Sequence, residues 1–392
     1  MKIALVATGL GMGGAENQVA ALADCYAADG HAVMLIAMTG EATVMPRHRG
    51  VRLEILRMER TLPGLVRGYL HARRLLKAFA PDVVHSHMVH ANLFARALRA
   101  GLPMRRLICS AHNTNEGGAA RMLAYRLTER LADLTTNVSD EAVRAFLERG
   151  AARQGRIVTM HNGIDAERFR FREEDRQRLR REFQVPDDTH VLLAVGRFSP
   201  QKDYGNLSEA FVRLCKRRND CVLWIAGTGD EQRTFQADAA RLGIAEHVRF
   251  LGLRRDVPAL MSAADLFVLS SAWEGLPLVV GEAMACQRVV VATDAGGVRE
   301  WLGDCGYVVP VRDSLALADA LGAALEAGVG DRQRRGMAGR ERIMTHYALS
   351  TVVQKWLQLY AGYSAGMQPE PEPAENAGQC KLSAVTNTRG QQ

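Results

Sequence analysis

The sequence predicts an α/β protein of two domains, each built on a parallel sheet. Three observations predict it. Strand-like apolar runs alternate with helix-like runs along most of the chain, the pattern of parallel strands joined by crossover helices. The length of 392 residues is enough for two domains that each bury a core. Polar and glycine-rich turns directly follow several of the strand-like runs, and in such proteins ligands bind at those strand ends. No period of 20–50 residues repeats in the sequence, so the duplication is one of architecture.

In the first half, strands are expected at 3–7, 32–37, 52–56, 83–85, 107–110, 134–137 and 157–160. The first runs into Gly9-Leu10-Gly11-Met12-Gly13-Gly14, which fits Gly-x-Gly-x-x-Gly between a strand and a helix. That dinucleotide fingerprint also calls for an acidic residue at the end of the second strand. Here Glu41 comes a little late, after Ala37-Met38-Thr39-Gly40. A nicotinamide-dependent oxidoreductase using Gly9, Gly11 and Gly14 is therefore kept as an alternative. On either reading the glycines let the backbone approach a phosphate closely.

Residues 65–79 have a helical pattern, with Leu65, Tyr69, Leu76 and Phe79 on the expected buried face and Arg67, Arg73, Arg74 and Lys77 on the other. The basic face is either solvated or placed against an anionic membrane, where each cation contributes roughly 1 kcal/mol. Next come His85, His87, His90 and Asn92. A metal site is not assigned there, because His85 and His87 alternate along a strand end and no matching carboxylate or cysteine cluster appears elsewhere. Ser110-Ala111-His112-Asn113 follows another apolar strand, which puts His112 at a ligand-binding strand end. Asn113, Asn115 and Glu116 are candidate acceptor contacts. Ser139 is placed to cap the next helix. Past His161-Asn162-Gly163-Ile164-Asp165, the arginines of 168–181 are interleaved with acids, which reads as a solvated helix near a hinge.

The second domain is expected to open at Val185-Pro186, with strands at 191–195, 222–225, 248–251, 266–269, 289–292 and 307–309. The first ends in Gly196-Arg197 with Lys202 five residues after the arginine. Such cations converge on a diphosphate, Arg197 as a fork and Lys202 as a point charge. Trp224-Ile225-Ala226-Gly227-Thr228-Gly229-Asp230 is a further strand-to-glycine turn for a nucleotide pocket. The central stretch is Ser270-Ser271-Ala272-Trp273-Glu274-Gly275-Leu276-Pro277, followed by a helix over 278–286. Pro277 suits the first helical position, and the N–H groups of Gly275 and its neighbours open toward an anion. Glu274 and Glu282 bracket this turn with seven residues between them. A phosphate at the helix start with a carboxylate on either side is an arrangement that holds a sugar nucleotide. The plainer reading is a helix N-terminus with ordinary acidic residues in its first turns.

Composition narrows the choice. An apolar content of 47% is that of a globular protein, and no run approaches a membrane-spanning length. Met1 to Ala7 reads as a first strand, not a signal peptide. The seven cysteines, Cys25, Cys109, Cys215, Cys221, Cys286, Cys305 and Cys380, are scattered singly, which argues for a reducing compartment and against structural zinc. The net charge of +7 implies an anionic partner: a sugar nucleotide, an anionic membrane face or nucleic acid. No zinc-finger or RNA-recognition signature supports the last.

Ala263-Ala264-Asp265 through Ala283-Met284-Ala285, followed by Thr293-Asp294-Ala295-Gly296-Gly297-Val298-Arg299-Glu300, resembles the C-terminal domain of the retaining glycosyltransferases of family 4, of the bacterial cell-surface polysaccharide type. The resemblance runs over about residues 1–362. It implies the GT-B fold: α/β, two facing Rossmann-like domains with parallel sheets and a cleft between them. An acceptor-binding domain would span 1–166, joined by a C-terminal helix at about 346–364, and a nucleotide-sugar-binding domain 185–345. Residues 366–392 are expected to be disordered.

The resemblance also implies roles. His112 would face the donor sugar and the scissile phosphate bond, and Glu274 would hold donor-sugar hydroxyls near the anomeric carbon. Gly13, Gly14, Arg197, Lys202, Gly275, Leu276 and Pro277 would lie along the diphosphate. Leu253 would hold the base, and Glu282 the ribose hydroxyls. Glu16 and Asn113 would meet the acceptor. The donor would be a UDP- or GDP-sugar, the acceptor a saccharide or lipid-linked saccharide, and the place of action the cytoplasm, with peripheral contact at the inner face of the cell membrane. No Asp-x-Asp occurs in the chain, so neither a metal nor another cofactor is expected. The implied reaction retains configuration by a front-face path, with the leaving phosphate helping to deprotonate the acceptor. Besides the oxidoreductase, a catalytically inactive scaffold of a polysaccharide complex is the rival. The Arg197, Lys202, Glu274 and Glu282 set argues against it, and also against a GT-B phosphorylase or a sugar-nucleotide epimerase.

Overall fold

The computed structural model describes residues 1–40 and 42–362. Glu41, Cys380 and the expected disordered tail lie outside the described residues. Thirteen strands form among those described: β1 Lys2–Ala7, β2 Ala32–Ala37, β3 Val51–Ile55, β4 Val83–His87, β5 Leu107–Ser110, β6 Leu134–Asn137, β7 Ile157–Thr159, β8 His190–Val195, β9 Cys221–Ala226, β10 Val248–Gly252, β11 Leu266–Leu269, β12 Val289–Thr293 and β13 Tyr307–Val309. They make two parallel sheets, ordered β3-β2-β1-β4-β5-β6-β7 and β10-β9-β8-β11-β12-β13. Helices cover both faces, so most strands are buried on both sides and read as apolar runs, while the edge strand β3 is only partly buried. That is why each expected strand is found.

In each sheet the chain winds outward from the first strand and then reverses. The reversal falls between β1 and β4 in one sheet and between β8 and β11 in the other. Loops leave a doubly wound sheet in opposite directions at such a point, which opens a crevice there.

Four expectations change. The strand expected at 83–85 continues through His87, and all five of its residues are buried. Polar side chains persist in this strand because they are paired: His85 with Tyr360 and Ser110, Ser86 with Asn92. The helix expected at 65–79 is Leu62–Phe79, and it buries Gly64, Gly68, Ala72 and Leu76. Leu65, expected inside, is exposed along with Leu62, Val66 and Leu70, because the small-residue stripe lets the helix lie close to its neighbours. The helix Glu173–Glu182 is not simply solvated. Arg176 and Arg180 both reach Asp265, at 2.7 and 3.1 Å, so this helix already packs on the second sheet's side, ahead of Val185. Finally, the C-terminal helical pattern breaks at Ala348 into Val329–Arg342, a π-helical turn Ile343–Tyr347, and Leu349–Tyr360.

The last helix packs Val352, Val353, Trp356, Leu359 and Tyr360 into the core of the first sheet, with Ile3, Leu5, Val33 and Leu35. The chain thus crosses twice between the two halves. The crossings meet: Ile164 N donates to Tyr347 O at 2.8 Å, and Leu349 N donates to Ile164 O at 2.9 Å. A side chain at Gly163 would lie 2.8 Å from the Leu349 backbone, so glycine permits this close crossing.

Candidate active site

The crevice of the second sheet holds a saturated carboxylate. β8 ends at Val195, and the loop beyond it carries the short 3-10 turn Pro200–Lys202. β11 ends at Leu269, and its loop carries Ser271 and Glu274. Lys202 Nζ donates to Glu274 Oε1 at 2.6 Å, Ser271 Oγ donates to the same oxygen at 2.8 Å, and Gln201 Nε2 donates to Oε2 at 2.8 Å. Glu274 is only 7% exposed, so these charge-assisted bonds lie in a medium of low dielectric. Lys202 and Glu274, assigned separately to phosphate and sugar by the sequence, are here bound to each other. A donor seated in this crevice would have to share or exchange that bond.

The Glu274–Pro277 turn is held from two sides. From the second half, Gly297 N donates to Gly275 O at 2.9 Å, and Thr293 Oγ1 donates to Ser271 O at 2.6 Å. Gly296, at φ +64°, lies directly against Glu274 O, where a Cβ would stand 2.5 Å away. From the first half, Ser139 Oγ donates to Gly275 O at 3.4 Å while capping its own helix through Ala142 N. A Cβ at Gly275 would overlap the His112 carbonyl oxygen and lie 3.1 Å from Asn113 Cα. The helix begins at Leu278, as expected, but Pro277 is its N-cap residue and not its first helical residue, because its extended ψ of 105° keeps it outside the helix. Leu276 is buried in the second half's core.

The first half supplies the opposite wall. Gly13 is the N-cap residue of the helix Gly14–Ala28, and a side chain at Gly14 would meet Leu278 Cδ1 at 3.4 Å. Arg197 spans the cleft, its Nη2 donating to Met12 O at 3.0 Å. Glu16 folds back over Gly13; burial raises its pKa, and Arg197 opposes the rise. After β5, Glu116 accepts from His112 N at 2.8 Å, so its carboxylate braces the loop. Asn115 Oδ1 likewise accepts from Gly118 N at 2.9 Å. Asn113 lies in the same loop, and its carbonyl accepts from Asn137 Nδ2 at 3.1 Å. The histidines of β4 are interior residues and do not line the open cleft: His85 is fully buried and His87 is 1% exposed. Burial lowers the pKa of His112 to about 4, so this imidazole is neutral at pH 7.

Two of the sequence's candidates stand apart. Leu253 is exposed just beyond β10, at the edge of the second sheet and two strands from β8. Glu282 sits within the helix Leu278–Ala285, and its carboxylate makes no hydrogen bond to the described residues. Burial raises its pKa to about 7, with Arg168 pulling the other way. Its ionised form is thus disfavoured until something supplies donors. If ribose hydroxyls do so, bound nucleotide favours the carboxylate, and binding below pH 7 must first expel a proton. Nucleoside diphosphate affinity is then expected to weaken by up to about tenfold per pH unit below 7. Titration calorimetry at pH 5.5 to 8 checks this, and Glu282→Gln should flatten the profile. For the unliganded fold the sign is opposite. A raised acid pKa adds stability at low pH, and that stability is lost as pH rises through about 7.

Sequence reasoning assigned no site role to Gln201, Ser271 or Arg168. Gln201 is adjacent to Lys202, and Ser271 lies three residues before Glu274, so proximity to the motifs was the available signal. Arg168 carried no such signal, since it reaches Glu282 only through the fold.

Comparison with known proteins gives one direction. The family model described as "Glycosyl transferases group 1" matches residues 175–342, and "Glycosyltransferase Family 4" matches residues 12–168. The GDP-mannose-dependent alpha-(1-6)-phosphatidylinositol monomannoside mannosyltransferase of Mycolicibacterium smegmatis is 31% identical over 283 residues, covering 68% of this chain and 72% of that one. The putative glycosyltransferase EpsD of Bacillus subtilis is 28% identical over 309 residues, 75% of this chain and 80% of that one. Among solved structures, Anabaena HepE in complex with UDP-glucose superimposes with a TM-score of 0.81 at 21% identity, covering 92% of this chain and 100% of that one. WaaG, a glycosyltransferase involved in lipopolysaccharide biosynthesis, gives 0.70 at 21% identity over the same shares.

Proposed function

The chain belongs to the group 1, family 4 glycosyltransferases and has their two-domain GT-B architecture, and from that premise we propose that it moves a sugar from a UDP- or GDP-sugar to a saccharide or lipid-linked saccharide, with retention of configuration, in cell-surface polysaccharide or lipopolysaccharide biosynthesis. The observation that carries this reading is the Lys202–Glu274 pair at the crevice of the second sheet, 2.6 Å apart and walled by the first half's Gly13–Gly14 and His112–Asn113 loops. The donor's diphosphate takes Lys202 and Arg197. Negative charge grows on that diphosphate as the glycosidic bond breaks, and cations fixed beside it lower the barrier. Glu274 turns to the donor-sugar hydroxyls, Glu282 to the ribose, and Leu253 to the base. Neutral His112 donates a hydrogen bond and carries no positive charge. Glu16 and Asn113 face the acceptor. No metal or cofactor enters this scheme. Closing the cleft excludes water and limits hydrolysis.

A thermal-shift panel with UDP, GDP, ADP and NADH tests the donor site. One nucleoside diphosphate is expected to raise the melting temperature of the wild type and to lose most of that effect in Glu282→Ala. Stabilisation by NADH that survives the substitution would overturn the proposal in favour of an oxidoreductase, a reading the family assignment does not favour.

For the acceptor, the helix Leu62–Phe79 presents exposed Leu62, Leu65, Val66 and Leu70 on the same element as Arg67, Arg73, Arg74 and Lys77. Among the described residues no helix is long and apolar enough to cross a membrane. An apolar ridge with cations beside it suits peripheral contact with anionic lipid headgroups, which would bring a lipid-linked acceptor to the cleft. Co-sedimentation with vesicles containing anionic lipid is expected to fall about tenfold or more when Arg73, Arg74 and Lys77 are all changed to Glu. Undiminished binding by that variant would remove the membrane from the proposal.

A further inference from the structure

A ladder of rings runs from the C-terminal helix to His112. Trp356 packs on His85 at a centroid distance of 4.4 Å, and His85 packs on His87 at 3.9 Å. His87 Nδ1 and His112 Nε2 then lie 3.2 Å apart. His85 cannot turn, because both its nitrogens are bonded: Nδ1 to Tyr360 OH and Nε2 to Ser110 Oγ, each at 2.6 Å. Tyr360 is tied further to Tyr26 OH at 3.1 Å, and Ser110 to Thr136 Oγ1 at 2.6 Å. His85 is therefore a fixed platform for His87.

The bond between His87 and His112 has two possible arrangements, since only one of the facing nitrogens can carry the hydrogen. Burial keeps both rings neutral. If His112 Nε2–H donates, the proton of His87 must sit on its Nε2. That nitrogen is buried and has no hydrogen-bond partner among the described residues. The result is an orphaned N–H, the rarer and costlier kind of unsatisfied group. If His87 Nδ1–H donates, only a bare lone pair is buried at His87 Nε2. The second arrangement places the proton of His112 on Nδ1. That atom makes no hydrogen bond to the described residues and is not among their sealed, unpartnered polar atoms, so it opens to solvent beside the Gly275 loop.

We propose that His87 is a positioning residue that holds the proton of His112 on Nδ1, so that His112 presents an N–H donor to the cleft. This rests on the reading of His112 as the residue facing the donor, and it deepens that reading. An anionic diphosphate and a hydroxylated sugar both accept from such an N–H, whereas a bare nitrogen would repel the phosphate. A partner that fixes an imidazole's tautomer has a large effect on catalysis where the wrong tautomer cannot act.

The test is long-range proton–nitrogen correlation NMR on the full chain with ring-15N histidine at pH 7, with His112→Gln used to assign His112. The expected wild-type signal is a protonated Nδ1 and a bare Nε2 at His112. His87→Asn keeps a side-chain N–H near the position of Nδ1, and the tautomer should persist. His87→Leu removes it, and His112 should revert to the mixture seen for free imidazole. Turnover of UDP-glucose and GDP-mannose supplies a second readout: in His87→Leu, kcat falls by at least about tenfold with KM little changed, and His87→Asn recovers most of it. A wild-type His112 protonated on Nε2 would overturn the proposal, and so would a folded His87→Leu that keeps the His112 signal. If His87→Leu does not fold, the wild-type and Asn spectra still decide. If wild type turns over neither nucleotide sugar, the transferase reading is put in question while the NMR result still stands on its own.

Discussion

Replacing Lys202 with Met is expected to lower the melting temperature by about 10 °C and to cut transfer by roughly a hundredfold to a thousandfold. The stability loss follows from burial. Glu274 is 7% exposed and accepts from three donors. Removing the ammonium leaves a carboxylate in a site of low dielectric with only neutral donors, and breaking a buried pair in this way costs about 3–5 kcal/mol. In a domain of this size each kcal/mol moves the midpoint by about 2–4 °C. The activity loss has a separate origin, the missing cation beside the leaving diphosphate. The double substitution Lys202→Met with Glu274→Gln separates the two. It removes both charges, so stability should return most of the way to wild type, while transfer stays at or below the level of Lys202→Met. Melting curves with transfer assays on the three proteins check this. Parallel recovery of stability and activity would show that the pair is only structural.

Gly275→Ala is expected to cost about a hundredfold in transfer while leaving nucleotide affinity within a few-fold of wild type. A methyl at this position would overlap the His112 carbonyl oxygen. Backbone atoms lie on both sides of the contact, so no rotamer change relieves the overlap, and the two halves must separate by up to about 1 Å. A misplacement of that size between reacting groups costs about a hundredfold. The second sheet's own crevice stays intact, because Lys202, Gln201, Ser271 and Glu274 all belong to one half. Transfer kinetics should show the loss in kcat, and small-angle scattering should show a slightly wider particle. Unchanged kcat in the Gly275→Ala enzyme would mean that the close approach plays no part in the reaction.

The chain's local pattern gives Gly275 a different partner from the one it has in the fold. Read along the chain, this glycine sits at a helix start, where an anion is the natural partner. In the fold its lack of a side chain is used first by the backbone of His112 and Asn113. A glycine's neighbour can lie anywhere in the chain, and the local pattern contains no record of it. The same holds for Lys202 and Glu274, two ligand-directed charges in the sequence that are 2.6 Å from each other in the fold. β4 shows the converse error. Its sequence, Val-Val-His-Ser-His, loses the apolar signal after two residues, yet the strand runs to its fifth. Polar residues can stay in a buried strand when distant partners satisfy them, here Tyr360 and Ser110 for His85.

Local pattern was enough to place the strands, to divide them between two parallel sheets, and to mark the loops that bear the candidate chemistry. These properties depend on short-range hydrophobic periodicity and on turn residues, and strands buried on both faces carry that signal strongly. Which of those loops meet was settled only by the three-dimensional fold. Arg197 touches Met12 across 185 residues, and Gly275 touches His112 across the cleft. The topology of the sheets and the double crossing at Ile164 and Ala348 bring these groups together, because contacts between distant segments arise only once the chain has closed its large loops and packed two cores against each other.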